Sequence, residues 1–490
     1  MAPLTPADAL RARAATIKPR AFSLELTKGC NLRCGYCYYA AREHAYDPRT
    51  VMSREVAEQA VERLLRDAEP GAPVHLHLFG GEPLLQFDQL CHVVEYGERR
   101  AAEDGRAITF EVTTNGTRFT PKVNEFLDAH AIHVGVSFDG PPEVQDAARP
   151  AVSGSSYALA APGIRAFLAG RASTPLEHAT HASVVVTRRE LDLVRIVEHL
   201  EALGFRKILL TPATDLTGRT HGLREEDLPA LLAAYDALAE RYEANLRAGR
   251  PTAATWFPDL MGRLLSGERR AAFCQGGRDY LGVAADGKLA LCYRFYEDPR
   301  FAMGHVATGI DRTVTERLLA LPVEDKPACS TCWVRYFCGG GCHHENLMTT
   351  GGLGEPNRIT CEILRHGMGR TLEIWARLSR AGTIGERLPV DGRRDAMTQE
   401  QTLAWEDRPR ARASCHVREV GDERVVYEPV GHEVVVLNAT AHFMFSLCDG
   451  RHTVAEMLDA LAARFAAPRD VLERDLRATL ALFAAKGLTE

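Results

Sequence analysis

The chain of 490 residues contains no run of about 18 apolar residues, the length a helix needs to cross a bilayer, so the sequence predicts no membrane partner. Its start, Met1-Ala-Pro-Leu-Thr5, lacks the charged-then-apolar order of a secretion signal. No Lys/Arg-rich block occurs and the formal charge is −6, so the basic footprint of a nucleic-acid binder is missing too. The expectation is a cytoplasmic protein that works on neither nucleic acid nor membrane. Against these absences stand thirteen cysteines. Without an export pattern they point to metal ligation, not disulfides. Three lie between positions 30 and 37 and seven between 274 and 361; Cys91, Cys415 and Cys448 stand apart and read as buried or incidental thiols.

The first group, Cys30-Asn-Leu-Arg-Cys34-Gly-Tyr36-Cys37, follows the strand-like Phe22–Thr27. A cubane of four irons takes four thiolates, so three in one tight loop leave an iron unclaimed, and an open metal position is where chemistry happens. A zinc site or a redox loop is the plainer reading of three close cysteines. Strand candidates at 22–27, 74–79, 108–114, 132–138, 182–187 and 207–210 alternate with helical stretches at 53–66, 87–101, 123–130, 158–169 and 191–203. Such alternation reads as βαβ units around a parallel sheet, in a partial (β/α)6 barrel or an open doubly wound sheet. In both, working loops follow the C-terminal ends of strands. Gly80-Gly81-Glu82-Pro83, Thr113-Thr-Asn115-Gly116 and Ser137-Phe-Asp139-Gly140 fall there, with Arg149 ten residues further on. Each tetrapeptide alone also reads as an ordinary turn. The two glycines permit close backbone approach, and Glu82 offers a carboxylate to an ammonium group. Residues 224–248 form a long amphipathic helix broken by Gly249, Pro251 and Pro258, which suggests a boundary near 250.

The second group begins with Cys274 and with Gly287 five residues before Cys292. It continues as Cys329-x2-Cys332-x5-Cys338-x3-Cys342 and ends at Cys361. A structural zinc ribbon also uses short spacings, but seven cysteines suit it poorly. Residues 380–411, rich in Arg, Asp, Glu, Gly and Pro, read as a linker. Short strands at 415–420, 424–428 and 433–437 then precede helical stretches at 439–447, 454–465 and 469–486, a composition that winged-helix domains share.

The loop from Cys30 to Cys37, with Tyr36 before its third cysteine, resembles that of radical S-adenosylmethionine (radical SAM) enzymes. The resemblance implies an α/β partial (β/α)6 barrel at residues 21–250. It implies a 4Fe–4S cluster on Cys30, Cys34 and Cys37, with S-adenosylmethionine chelated at the open iron and cleaved to a hydrogen-abstracting 5′-deoxyadenosyl radical. Carried over by position, Tyr36, Gly80, Gly81, Glu82, Pro83, Asn115, Ser137, Asp139 and Arg149 would contact the cofactor, and Val186 would pack its adenine. The seven later cysteines match the SPASM extension of these enzymes, which implies an auxiliary-cluster domain over 251–379 and three 4Fe–4S clusters in all. Cys329, Cys332, Cys338 and Cys361 would hold one auxiliary cluster and Cys274, Cys292 and Cys342 the other. Its fourth ligand is left open, with Glu268 in the neighbourhood where some relatives place a cysteine.

The run from Cys332 to Glu345 looks like enzymes that modify ribosomal peptides, particularly the thioether-forming maturases of quinohemoprotein amine dehydrogenase. Anaerobic sulfatase maturases carry an Asp after the second SPASM cysteine, whereas this chain has Tyr293. The tail, 412–490, resembles the PqqD-like element that captures a leader peptide by β-augmentation, with 434–437 as the expected edge. Residues 1–20 read as a lead-in. The expected function is modification of a precursor peptide by hydrogen abstraction and thioether or other cross-link formation, with an external electron donor. Maturation of a folded target such as a sulfatase, or metal-bearing peptide binding without catalysis, are the rival expectations.

Overall fold

A computed structural model describes residues 18–41, 46–213, 221–380, 403–420, 423–429, 433–465 and 467–490. Most of the predicted lead-in and the central part of the predicted linker, 381–402, lie outside the described residues.

Six parallel strands lie side by side in chain order: β1 (Ala21–Thr27), β2 (Val74–Gly80), β3 (Ile108–Thr114), β4 (His133–Ser137), β5 (Thr180–Val186) and β6 (Ile208–Pro212). Their alternation sorts the side chains. In β2, Val74, Leu76 and Leu78 are buried toward the helices, while His75, His77 and Phe79 lie on the other face, a period of two. The covering helices turn an apolar stripe inward. Arg54–Asp67 is typical: Ser53 caps it by accepting from the Val56 amide, and Ala57, Ala60, Val61, Leu64 and Leu65 are buried at helical spacing.

The sheet does not stop at the predicted boundary near residue 250. On the far side of β1 it continues through β7 (Tyr280–Val283), parallel to β1, then antiparallel β8 (Lys288–Ala290), β9 (Ala302–His305) and β10 (Gly309–Ile310). The cysteine-rich segment is therefore built onto the edge of the barrel sheet. Its last element, the helix Arg358–Arg380, packs against the helix Leu228–Ala248.

A separate antiparallel sheet joins β11 (His416–Val420), β12 (Glu423–Glu428) and β13 (Glu433–Leu437) in that order. One of its faces meets three helices, Ala439–Leu447, Val454–Arg464 and Arg469–Ala485, through Val426, Val435 and Leu437. The opposite face, with Val425, Tyr427, Val434 and Val436, belongs to the main core. There Trp333 stacks on His416 with ring centroids 4.0 Å apart, and Arg418 Nε donates to Glu373 of the long helix at 2.5 Å. Among the described residues no helix is long and apolar enough to cross a membrane.

Candidate active site

The three cysteines of the first loop line a cavity of about 290 Å³ at the C-terminal ends of the parallel strands. The loop is held there by backbone. The Gly81 amide donates to Thr27 O at 2.7 Å and the Glu82 amide to Gly29 O at 2.8 Å. A Cβ on Gly81 would meet Gly29 O at 2.3 Å, so only glycine lets the end of β2 approach the run-in to Cys30 this closely. From the other side, the Arg33 amide donates to Pro150 O and the Gly35 amide to Ala148 O.

Behind the wall, two buried carboxylates organise the strand ends. Glu82 accepts from the Thr114 hydroxyl at 2.7 Å, the Asn115 amide at 2.6 Å and the Leu84 amide at 3.0 Å, and it is 0 % exposed. Burial raises its pKa. Asp139 accepts from the Tyr36 hydroxyl at 2.5 Å and the Val185 amide at 3.0 Å. Arg149 in turn donates to the Tyr36 oxygen at 2.6 Å. Burial raises the Asp139 pKa while the nearby Arg149 guanidinium opposes that rise. Asn115 donates from its side chain to Asn31 at 2.9 Å and lies within 3.8 Å of Cys30 Sγ.

Of the residues expected at the cofactor, Tyr36, Gly80, Gly81, Asn115, Ser137 and Arg149 line the cavity. Glu82 and Asp139 stand behind it and position Asn115 and Tyr36, and Pro83 is buried and does not line it. Val185, not Val186, faces the cavity; Val186 is fully buried on the other face of β5. A one-residue difference in a strand reverses the face. Tyr293, Arg294 and Glu345 reach the same cavity from the cysteine-rich segment. Tyr293 packs on Phe79 with centroids 4.6 Å apart, and Arg294 pairs with Glu345 at 3.2 Å. Arg294 and Glu345 were not singled out from the sequence. The signal available was their position two and three residues after cysteines, Cys292 and Cys342.

The later cysteines fall into two groups. Cys329, Cys332, Cys338 and Cys361 surround one small cavity. Cys274, Cys292 and Cys342 lie near one another, and each of the other two raises the pKa of Cys292, which burial pushes up to about 12. Among the described residues no three His, Cys, Asp or Glu side chains are drawn tightly enough around one point to hold a single ion. Glu268 is paired with Arg270 at 2.9 Å and is half exposed.

The barrel and its site define the class. Residues 24–161 match the Radical SAM superfamily model, and residues 423–488 match that of Coenzyme PQQ synthesis protein D (PqqD). The chain thus carries a radical SAM domain and a PqqD domain. The radical SAM cyclopropyl synthase TigE of Paramaledivibacter caminithermalis is 28% identical over 134 residues, 25% of this chain and 27% of TigE. A serine-type anaerobic sulfatase-maturating enzyme of Bacteroides thetaiotaomicron is 34% identical over 119 residues, 24% of this chain and 28% of that enzyme. Both matches therefore span little more than a quarter of the curated relative. The structure of anSMEcpe with bound AdoMet and Cp18Cys peptide superposes with a TM-score of 0.61 at 20% identity, covering 74% of this chain and 99% of that one. The shared fold thus extends well beyond the barrel.

A radical SAM domain implies a 4Fe–4S cluster and S-adenosylmethionine. The residues present fit both. Three thiols with no disulfide share one cavity wall. Arg149 lines the same cavity with a buried Nε that has no hydrogen-bond partner, a donor suited to a carboxylate.

Proposed function

We propose that the chain modifies a ribosomally made peptide, which the PqqD domain captures and the barrel alters by hydrogen abstraction, with a thioether as the product. One observation carries this reading: the peptide-recognition sheet is packed directly on the cysteine-rich segment whose residues Tyr293, Arg294 and Glu345 reach the barrel cavity. Recognition, auxiliary chemistry and radical chemistry then share one rigid arrangement. The domain plan is a partial barrel at 21–250, an auxiliary-cluster domain at 251–379, a linker at 380–411 and a recognition domain at 412–490.

Cys30, Cys34 and Cys37 would ligate the first cluster. Arg149 would bind the cofactor's carboxylate, and the buried Glu82 would favour its ammonium group through charge. When bound, this pair supplies a radical able to take hydrogen from an unactivated carbon. Asp139 holds the Tyr36 hydroxyl, and through it Arg149, in a fixed place. Tyr38, Phe79 and Tyr293 put aromatic surface on the cavity and limit water there. Cys274, Cys292 and Cys342 would hold an auxiliary cluster whose position beside Arg294 suits a substrate thiolate. An external donor would supply electrons. The leader peptide would add to β13, which pairs only with β12 among the described residues and so leaves one backbone edge open.

Maturation of a folded protein is the second reading, favoured by the sulfatase-maturating relative. It requires no leader edge. The test uses the full chain, reconstituted anaerobically with iron and sulfide and co-expressed with a short Cys-containing open reading frame found beside its gene. The expected results are 5′-deoxyadenosine formation, a product two mass units lighter per cross-link, and slowed amide exchange at 433–437 on adding leader peptide. Cofactor cleavage without slowed exchange at β13 would overturn the leader-peptide reading. Zinc in place of iron, with no cleavage, would overturn the catalytic one.

A further inference from the structure

Lys326 is 1 % exposed, and among the described residues its amine meets a backbone carbonyl and forms no ion pair with a carboxylate. It lies at the junction of the two later cysteine groups. Its carbonyl accepts from the Cys329 amide at 2.9 Å, so its backbone abuts the group of Cys329, Cys332, Cys338 and Cys361. Its Nζ donates to Gly340 O at 3.0 Å. Gly340 is the centre of Gly339-Gly340-Gly341, the three residues that join Cys338 of one group to Cys342 of the other. All three adopt positive φ, between 74° and 85°. A Cβ on Gly340 would stand 3.0 Å from Lys326 Nζ, so the glycine is what admits the ammonium.

A buried ammonium without a carboxylate is costly unless another anion faces it. Two thiolate-ligated clusters are such anions. Cluster potentials follow net charge, hydrogen bonding to sulfur and exposure. We propose that Lys326 is a positioning residue whose fixed positive charge, held between the two cysteine groups, raises the reduction potentials of both auxiliary clusters. This rests on the reading that the seven later cysteines hold two 4Fe–4S clusters. Each reduction adds one electron and one negative charge and breaks no bond, so a cation at this point favours the reduced form of either cluster.

The experiment is an anaerobic titration of the reconstituted full-length protein with dithionite, followed by electron paramagnetic resonance, for wild type, K326Q, K326M and K326R. The neutral variants should keep the wild-type iron and sulfide content. At a fixed ambient potential their auxiliary clusters should show a reduced-to-oxidised ratio about tenfold lower, equivalent to about 59 mV for a one-electron couple. The first cluster's ratio should not move, and K326R should stay within about threefold of wild type. Loaded neutral variants with unchanged auxiliary ratios would overturn the proposal. So would an equal fall in K326R, which would assign the effect to packing. If wild type holds no iron beyond the first cluster, the cluster reading itself fails and the proposal with it, a result distinct from either of the others.

Discussion

Replacing Glu82 by Ala should unsettle the barrel before any cofactor is added. The Glu82 carboxylate ties the end of β2 to that of β3, accepting from Leu84 N, Asn115 N and Thr114 Oγ1. Thr114 can turn its hydroxyl elsewhere; the two backbone N–H groups cannot. Leaving a buried donor unsatisfied costs about 1–3 kcal/mol, more when its partner was charged. Two such donors, offset by removal of an anion whose burial is unfavourable, give a net loss of about 3 kcal/mol. Taking residues 18–380 as one unit, an unfolding entropy of about 2.1 cal/mol/K per residue turns this into a fall of about 4 °C in Tm. Calorimetry of the metal-free protein reads the fall directly. E82Q should fall in the same direction, because its amide NH2 must face one of the same donors. An E82A protein as stable as wild type, with a changed affinity for S-adenosylmethionine, would show that the carboxylate serves the ligand and not the strand ends.

R149A should weaken S-adenosylmethionine binding by at least tenfold, measured by equilibrium dialysis of the reconstituted protein, because a buried guanidinium donor is lost. W333A removes the stack on His416; amide exchange at 416–420 should speed up, whereas an unchanged rate would mean that the Arg418–Glu373 pair and the packing of Val425 and Tyr427 seat the small sheet without it. Burial lowers the pKa of His77 to about 3 and of His181 to about 4, so both rings stay neutral in the fold. The unfolded chain binds the extra protons below its pKa of about 6.5, so the stability these rings contribute is present above that pH and lost as pH falls toward 4 and 3. At pH 5 the loss is as much as about 2 kcal/mol for each ring. H77N should flatten that acid limb of a Tm–pH curve.

The barrel was legible because its strands and helices are long enough to show their periods: β3 and β13 begin and end where the alternation predicts, the other predicted strands shift by one or two residues, and the helix predicted from 224 begins at Leu228. The resemblance to the SPASM extension, not the spacing by itself, implied the division of the later thiols, and the fold brings the same sets near one another. Strands β7 to β10 could not be read. They span two to four residues each, too short for a pattern, and the pairing of β7 with β1 depends on a contact some 260 residues away in sequence. Tyr36, Asp139 and Arg149 were each picked out, but as separate cofactor contacts. That they bond to one another across more than a hundred residues is a tertiary fact. Glu345 and Lys326 look like ordinary surface residues in sequence. The fold marks them, Glu345 by its place in the barrel cavity and Lys326 by its burial.

The long helix Arg358–Arg380 holds Cys361 in its first turn and Glu373, the anchor for Arg418 of the small sheet, further along. A single helix thus joins the group of Cys329, Cys332, Cys338 and Cys361 to the small sheet and fixes one against the other. Such a helix would act as a ruler. On the proposed reading, an extended peptide advancing about 3.3 Å per residue would then have the number of residues between its leader and its modified position set by the protein and not by a flexible tether. Lengthening the substrate's spacer by a few residues should therefore shift modification to a different residue, while shortening it should abolish modification.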